Sequence, residues 1–241
     1  ILTHLGLEVP LATTQVVGRD RYIEYISWLA NVAASCEKIL QEIRNLQRSE
    51  IQEAGEGFDI KKQVGSSTMA HKKNPIKSEN ASGLARIVRS MIIPTYENAI
   101  LWHERDLANS SSERFTLSHA SSLCEDVISK TRQVLTNMWV DRERCLENIK
   151  SQRGLVMAEK VMIELVEYGI PRDEAHEILR SASFEAVDKK IELIDVCSRT
   201  PEIAAAFSAE ELEAMFDPMN HIGVSGEIVD EAVELARSAI S

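Results

Sequence analysis

Glycine and proline are scarce, 10 and 6 in 241 residues. Alternation of apolar and polar residues is hard to find, so a sheet protein is not indicated. Cysteine is also sparse: Cys36, Cys124, Cys145 and Cys197 form no C-x-x-C pair. Zinc and thioredoxin-type readings therefore lack support. No apolar run approaches the roughly 18 residues a bilayer span needs, and no secretory leader is visible. Positive charge is in deficit, with 27 Lys and Arg against 38 Asp and Glu and a formal net charge of −11. Nucleic-acid binding needs a broad basic patch, so neither nucleic acid nor membrane is an expected partner. Cys36 and Cys124 fall on apolar stripes, where a free cysteine behaves as a small hydrophobe. A cytoplasmic protein with reduced, structural thiols is expected.

What the sequence has is helical periodicity. Residues 20–49 carry Ile23, Ile26, Ala30, Ala33, Cys36, Leu40, Ile43 and Leu46 at steps of three and four. Their mean spacing is close to coiled-coil packing. A rod of that length, roughly 43 Å at 1.5 Å per residue, needs other long helices beside it, from this chain or from copies of it. A second long helix is predicted over residues 77–101, kinked at Pro94, which lacks a backbone donor. A third is predicted over residues 112–140, with Leu117, Ala120, Cys124, Val127, Thr131, Val134 and Met138 inward. Serines 110–112 precede it as candidate N-caps. Beyond residue 141 the helices become short, with Gly169-Ile170-Pro171, Thr200-Pro201 and a capping box at Ser208 to Glu211 as punctuation. The expected fold is all-α: an oligomerising bundle of long helices over residues 1–148, then a small compact helical domain over 149–241.

One segment breaks the pattern. Residues 53–76 contain Glu53-Ala54-Gly55-Glu56-Gly57 and then Gly65-Ser66-Ser67-Thr68-Met69-Ala70-His71-Lys72-Lys73-Asn74-Pro75. Lysines 61, 62, 72, 73 and 77 fall in or beside it, with no acid between Ile60 and Ser78. A loop of this kind is suited to closing over an anion, although charge runs are more often solvated connectors.

The order of residues 65–75 resembles the G-S-S-x-M-P-x-K-x-N-P signature of the fumarase/aspartase superfamily. Thr13-Thr14-Gln15, Arg19-Asp20-Arg21, residues 42–47 (EIRNLQ), Trp102-His103-Glu104-Arg105-Asp106-Leu107 and Ser110-Ser111-Ser112-Glu113-Arg114 resemble the adenylosuccinate lyase family in particular. The resemblance covers most of the chain and is weakest in the last third. It implies an all-α homotetramer, no cofactor, and elimination of fumarate from adenylosuccinate to give AMP. The same reaction is implied on the succinyl-carboxamide ribotide of purine biosynthesis. One departure is Ala70, where the family has proline, which leaves the unfolded segment freer but removes no reactive group.

The reaction takes a proton from a carbon beside a carboxylate and delivers one to a departing amine nitrogen. The resemblance assigns the proton abstraction to Ser66. A serine hydroxyl is a poor base unless its ionised form is stabilised. A helix N-terminus offers about 0.3–1 kcal/mol for this, and a cation at about 4 Å offers up to about 4 kcal/mol at an effective dielectric of 20. Lys72 is therefore the expected stabilising group, with Asn74 donating to the charge-bearing carboxylate. The resemblance places substrate contacts on Gln15, Ser67, Asn80, Arg105, Ser110 and Arg114, the arginines suiting phosphate or carboxylate. The alternative for Arg105 and Arg114 is pairing with Glu104, Asp106 or Glu113. His71 is a looser phosphate candidate, and His103 reads as a helix-end residue. The histidine spacings fit no compact metal motif, so no metal is expected.

The family's general acid is a histidine in a Thr-His-Gly segment, which Thr3-His4-Leu5 does not match. With Ile1 in first place, the expectation is a C-terminal portion of the enzyme, incomplete alone. Rival readings are another superfamily lyase or cycloisomerase, acting on argininosuccinate or a carboxymuconate, and a non-catalytic assembly scaffold.

Overall fold

In a computed structural model the described residues are 2–8, 10–57 and 72–240. They divide into two units, Ile1–Arg142 and Glu143–Ser241.

The first unit is built on three long helical stretches. Helix α1, Asp20–Leu46, buries Ile26, Leu29, Ala30, Ala33, Leu40 and Ile43, essentially the stripe its spacing predicts. Helix α2, Ile76–Ser90, and helix α3, Ile92–Glu97, replace the single helix expected over 77–101. The break falls at Met91 rather than at Pro94. Proline at 94 cannot donate to the carbonyl four residues earlier, that of Ser90, so the ladder lapses there. The Met91 N–H accordingly turns to Val88 O at 3.2 Å.

Helix α4, Ala108–Asn137, begins four residues before the predicted start, and Ser110 lies within it. The expected serine caps are therefore not used. Asp106 takes that role: its Oδ1 accepts the Ala108 N–H at 2.8 Å and its Oδ2 the Trp102 N–H at 3.0 Å.

Ion pairs and hydrogen bonds fix the directions. Arg19 meets Glu113 and Tyr25 meets Ser121, so α1 and α4 run parallel. Glu37 meets Arg89, and Gln47 meets Lys73, so α2 runs back against α1. Ile26, Leu29, Ala33, Ala85, Val88, Ala120, Cys124 and Val127 form one core between them, and Leu40, Ile43, Ala81 and Val134 a second toward the α1 C-terminus. The alanines let the rods approach closely. Each buried Ile, Leu or Val contributes about 1.5–3 kcal/mol.

Two short strands interrupt the all-helical pattern: β1, Ala54–Gly55, pairs antiparallel with β2, Trp139–Val140. They tie the chain after α1 to the end of α4.

The second unit holds most of helix α5, Arg142–Ser151, followed by α6, Ala158–Tyr168, α7, Arg172–Lys189, α8, Leu193–Cys197, α9, Pro201–Ala206, α10, Ala209–Phe216, and α11, Ser225–Ile240. Its core gathers Val161, Leu165, Leu179, Leu193, Val196 and Ile203. The punctuation read from sequence is in place. Gly169 ends α6 at a φ of 117°, Pro201 opens α9, and Ser208 and Glu211 form a reciprocal capping box. Gly154, at a φ of 76°, lies where a Cβ would come within 2.8 Å of the Phe216 ring. Burial pushes the Cys197 thiol up to about 12. Among the described residues no helix is long and apolar enough to cross a membrane.

Candidate functional site

At the paired N-terminal ends of α1 and α4 lies a cleft of about 360 Å³ lined by Arg19, Arg105, Asn109, Ser110, Glu113 and Arg114, with Leu117 as its apolar wall. The turn before α4 places Arg105. Asp106 holds that turn by its two backbone acceptor bonds, and those N–H groups, Ala108 first, keep its carboxyl below the usual carboxylate range. His103 stands in the turn at a φ of 44° rather than at a helix end.

The helical repeat then brings Asn109, Ser110, Glu113 and Arg114 to neighbouring positions. Glu113 faces Arg19, with Arg19 Nε to Glu113 Oε1 at 2.6 Å and Arg19 Nη2 to Oε2 at 3.1 Å. Asn109 Nδ2 adds a third donor at 2.9 Å. Burial alone would raise the Glu113 carboxyl. The bonds from Arg19 and Asn109 and the charges of Arg19 and Arg105 outweigh it, and hold the carboxyl below its ordinary range. The Glu113 bond likewise raises Arg19, against its desolvation.

Two of the three carboxylates weighed as structural partners for Arg105 and Arg114 are thus engaged elsewhere. Glu113 binds Arg19, and Asp106 binds backbone amides. Among the described residues neither Arg105 nor Arg114 forms an ion pair within the 4.0 Å limit for one. Two guanidinium forks with no contact ion pair among the described residues, and the Ser110 hydroxyl at the same cleft, suit a phosphate or carboxylate. Asn109 is 2 % exposed, and its Oδ1 has no hydrogen-bond partner among the described residues.

At the other end of α1 a larger cleft, about 950 Å³, is lined by Arg44, Arg48, Lys72, Lys73, Asn74 and Glu79, among others. Lys72 and Asn74 are here, in the four residues that lead into α2. Asn80 is exposed in the second turn of α2, and Gln15 is exposed ahead of α1. Ser66 and Ser67 lie outside the described residues, as do Ala70 and His71.

The structure therefore brings together Arg105, Ser110 and Arg114 in one place and Lys72 with Asn74 in another. It does not unite the two groups. Arg19 precedes α1 and Gln47 follows it, so the 27-residue helix between them separates the clefts by roughly 40 Å at 1.5 Å per residue. Sequence reasoning missed Arg19, Glu113 and Asn109 as parts of the first cleft. The signal was present in the runs around Arg19 and Glu113, but nothing local pairs residues so far apart in the chain.

Residues 2–90 match the family described as Lyase, and residues 154–232 match the one described as Adenylosuccinate lyase C-terminus. An adenylosuccinate lyase of Archaeoglobus fulgidus is 42% identical over 97% of this chain and 52% of its own length. One of Methanothermobacter thermautotrophicus is 44% identical over 95% of this chain and 51% of its own. Over nearly its whole length the chain is similar in sequence to adenylosuccinate lyases. It spans about half the length of the curated relatives it matches. Lyase family members also share its fold. The crystal structure of 3-carboxy-cis,cis-muconate lactonizing enzyme from Pseudomonas putida superimposes with a TM-score of 0.87. It is 29% identical and covers 100% of this chain and 52% of its own. Adenylosuccinate lyases resemble the chain more closely in sequence than the lactonizing enzyme does.

Proposed function

We propose that the protein carrying this chain eliminates fumarate from adenylosuccinate to give AMP, and from the related succinyl-carboxamide ribotide. Ser66 removes the proton from carbon, the C–N bond breaks as the C=C bond forms, and the departing nitrogen takes up a proton. Lys72 stabilises the ionised serine by charge, and Asn74 donates to the carboxylate that carries the excess electron density. Arg105, Ser110 and Arg114 hold the nucleotide phosphate or a carboxylate, with Gln15, Ser67 and Asn80 as further contacts.

The observation that carries the reading is the cleft with Arg105 and Arg114. Glu113 is engaged by Arg19 and Asp106 by backbone amides, so neither pairs directly with the two arginines, which supports their taking a ligand's negative charge. Higher identity to adenylosuccinate lyases than to the muconate enzyme favours this substrate over the lactonising alternative.

The separation of the clefts along α1 argues that a working site draws on more than one copy of the chain, as a homotetramer allows. The exposed apolar side chains of Trp28 (60 %), Ile93 (70 %), Tyr96 (54 %) and Ile128 (44 %) supply surface for such an assembly.

The test is fumarate release from adenylosuccinate by the protein at its full encoded length, set against argininosuccinate and carboxymuconate. Preference for either of the latter, or no affinity for AMP or fumarate, overturns the reading. Arg114→Ala is expected to raise KM for the nucleotide, and an unchanged KM counts against its binding role.

A further inference from the structure

A loop acid is ordinarily solvated, but Glu56 is 3 % exposed. The backbone on either side of it explains why. A Cβ on Gly55 would lie 2.6 Å from the Trp139 ring, and one on Gly57 would lie 2.2 Å from the carbonyl oxygen of Asn137. The chain at 55–57 is pressed against the end of α4 and the strand that follows it.

The Glu56 carboxylate meets the start of α2. Its Oε1 accepts the Lys77 N–H at 3.1 Å, and its Oε2 accepts the Ser78 N–H and the Ser78 hydroxyl, each at 2.9 Å. The amides are among the four N–H groups that every helix leaves unsatisfied at its first turn. The residue in the cap position is Pro75, which makes no side-chain cap bond. An acid 22 positions earlier in the chain caps the helix instead.

A second contact closes the arrangement. Gln47, at the C-terminal cap of α1, accepts the Glu56 N–H on Oε1 at 2.9 Å and donates from Nε2 to the carbonyl of Lys73 at 3.0 Å. Lys73 stands between Lys72 and Asn74. Glu56, ahead of the signature, and Lys73, within it, are therefore both fastened directly to Gln47 at the end of α1, and Glu56 is fastened to the start of α2 as well. Since Glu56 already receives α2's first-turn donors, the positive end of that helix faces a protein carboxylate. The cationic means left to the larger cleft are its lysines and arginines.

We propose that Glu56 is a positioning residue, which fixes Lys72 and Asn74 at the cleft by capping α2 and acting with Gln47, without touching substrate. The proposal rests on the roles given above to Lys72 and Asn74.

The test uses the full-length protein with Glu56→Gln, Gln47→Ala and the double variant. Three quantities are read: kcat and KM for adenylosuccinate, the thermal midpoint, and amide hydrogen exchange at Lys77 and Ser78. Glu56→Gln is close in shape but has no charge and presents an N–H₂ to a site of donors. The expected result is a folded protein with kcat lowered about 10-fold or more, since small misplacements of reacting groups are costly. KM should stay within about 3-fold, and exchange at the two amides should be faster. The double variant should lose less than the product of the single losses, because both act on one element.

A purely structural role would lower the thermal midpoint and leave kcat of the folded protein unchanged, which would overturn the proposal, as would independent, multiplying losses. If Glu56→Gln does not fold, Gln47→Ala carries the same kcat and exchange test. If the unaltered protein releases no fumarate, the functional reading fails separately. Exchange then decides the capping arm alone, and protection unchanged in the variants would refute it.

Discussion

Arg19, just ahead of α1, and Glu113, in the second turn of α4, join two parallel helices through a two-pronged ion pair, Nε to Oε1 at 2.6 Å and Nη2 to Oε2 at 3.1 Å. Both side chains are largely buried, at 12 % and 15 % exposure. The pair ties α1 to α4 and at the same time engages the acid that lines the same cleft as Arg105 and Arg114. Structural and electrostatic roles coincide in one contact.

Glu113→Gln should destabilise the fold by about 1.5–3 kcal/mol at neutral pH, the scale of hydrogen bonds to charged groups. The effect has a definite pH dependence. The Glu113 carboxyl is held below its ordinary range in the folded chain. Its contribution is therefore complete above the unfolded carboxylate value of about 4.3 and is lost as pH falls through the lower folded value. Urea unfolding of both proteins from pH 6 to pH 3 checks this. The gap between them should narrow below about pH 4, and a gap of constant size would refute it.

Two glycines separate steric crowding from helix propensity. At Gly57 a Cβ would sit 2.2 Å from the Asn137 carbonyl oxygen, and neither backbone can yield easily. Gly57→Ala should cost about 1–3 kcal/mol, as overpacking does. At Gly83, in the exposed middle of α2, a Cβ meets nothing within 4 Å. Gly83→Ala should stabilise by about 0.5–1 kcal/mol through helix propensity alone. Calorimetric midpoints moving in opposite directions confirm the distinction, and a Gly57→Ala midpoint equal to that of the unaltered chain removes it.

Ile26 is fully buried between α1, α2 and α4. Ile26→Ala should cost about 2–5 kcal/mol, the range for deleting a buried branched side chain. The same change at Ile93, 70 % exposed in α3, should barely move the unfolding midpoint of the separate chain. Equal losses at the two positions would mean that the core lies elsewhere.

Much of this architecture was legible because its causes are local. The inward stripes of α1 and α4, the interruption near Pro94, the proline that opens α9 and the cap at Ser208 depend on residues within a turn or two of one another, although Thr200 makes no side-chain cap bond. The misreadings have two causes, a competing local acceptor and a distant partner. Serines 110–112 have good capping chemistry, but Asp106 lies where its carboxylate reaches the Ala108 amide, so α4 starts earlier. Glu56 caps a helix that begins 20 residues later, which no spacing rule anticipates. The signature marked Lys72 and Asn74, and a separate motif marked Arg105 and Arg114. Only the length of α1 shows that one copy holds them far apart.

That separation makes a prediction about mixtures. Ser66→Ala should lower kcat of the full-length protein by at least about 100-fold, the lower end of what general-base catalysis contributes. Arg114→Ala should raise KM, and neither should prevent assembly. Arg114 lies at the cleft beside the start of α1, and Lys72, a few residues after Ser66, lies at the cleft beyond its end. If each site takes its signature residues from one copy and its arginines from another, the two variants damage different contributions to the site. Co-refolding them should produce some sites with both contributions intact. Activity in the mixture should then exceed the sum of the separate proteins at subsaturating nucleotide, with the oligomeric mass unchanged by light scattering. A mixture no more active than that sum would mean that each copy builds its own site, and the proposed sharing between protomers would have to be abandoned.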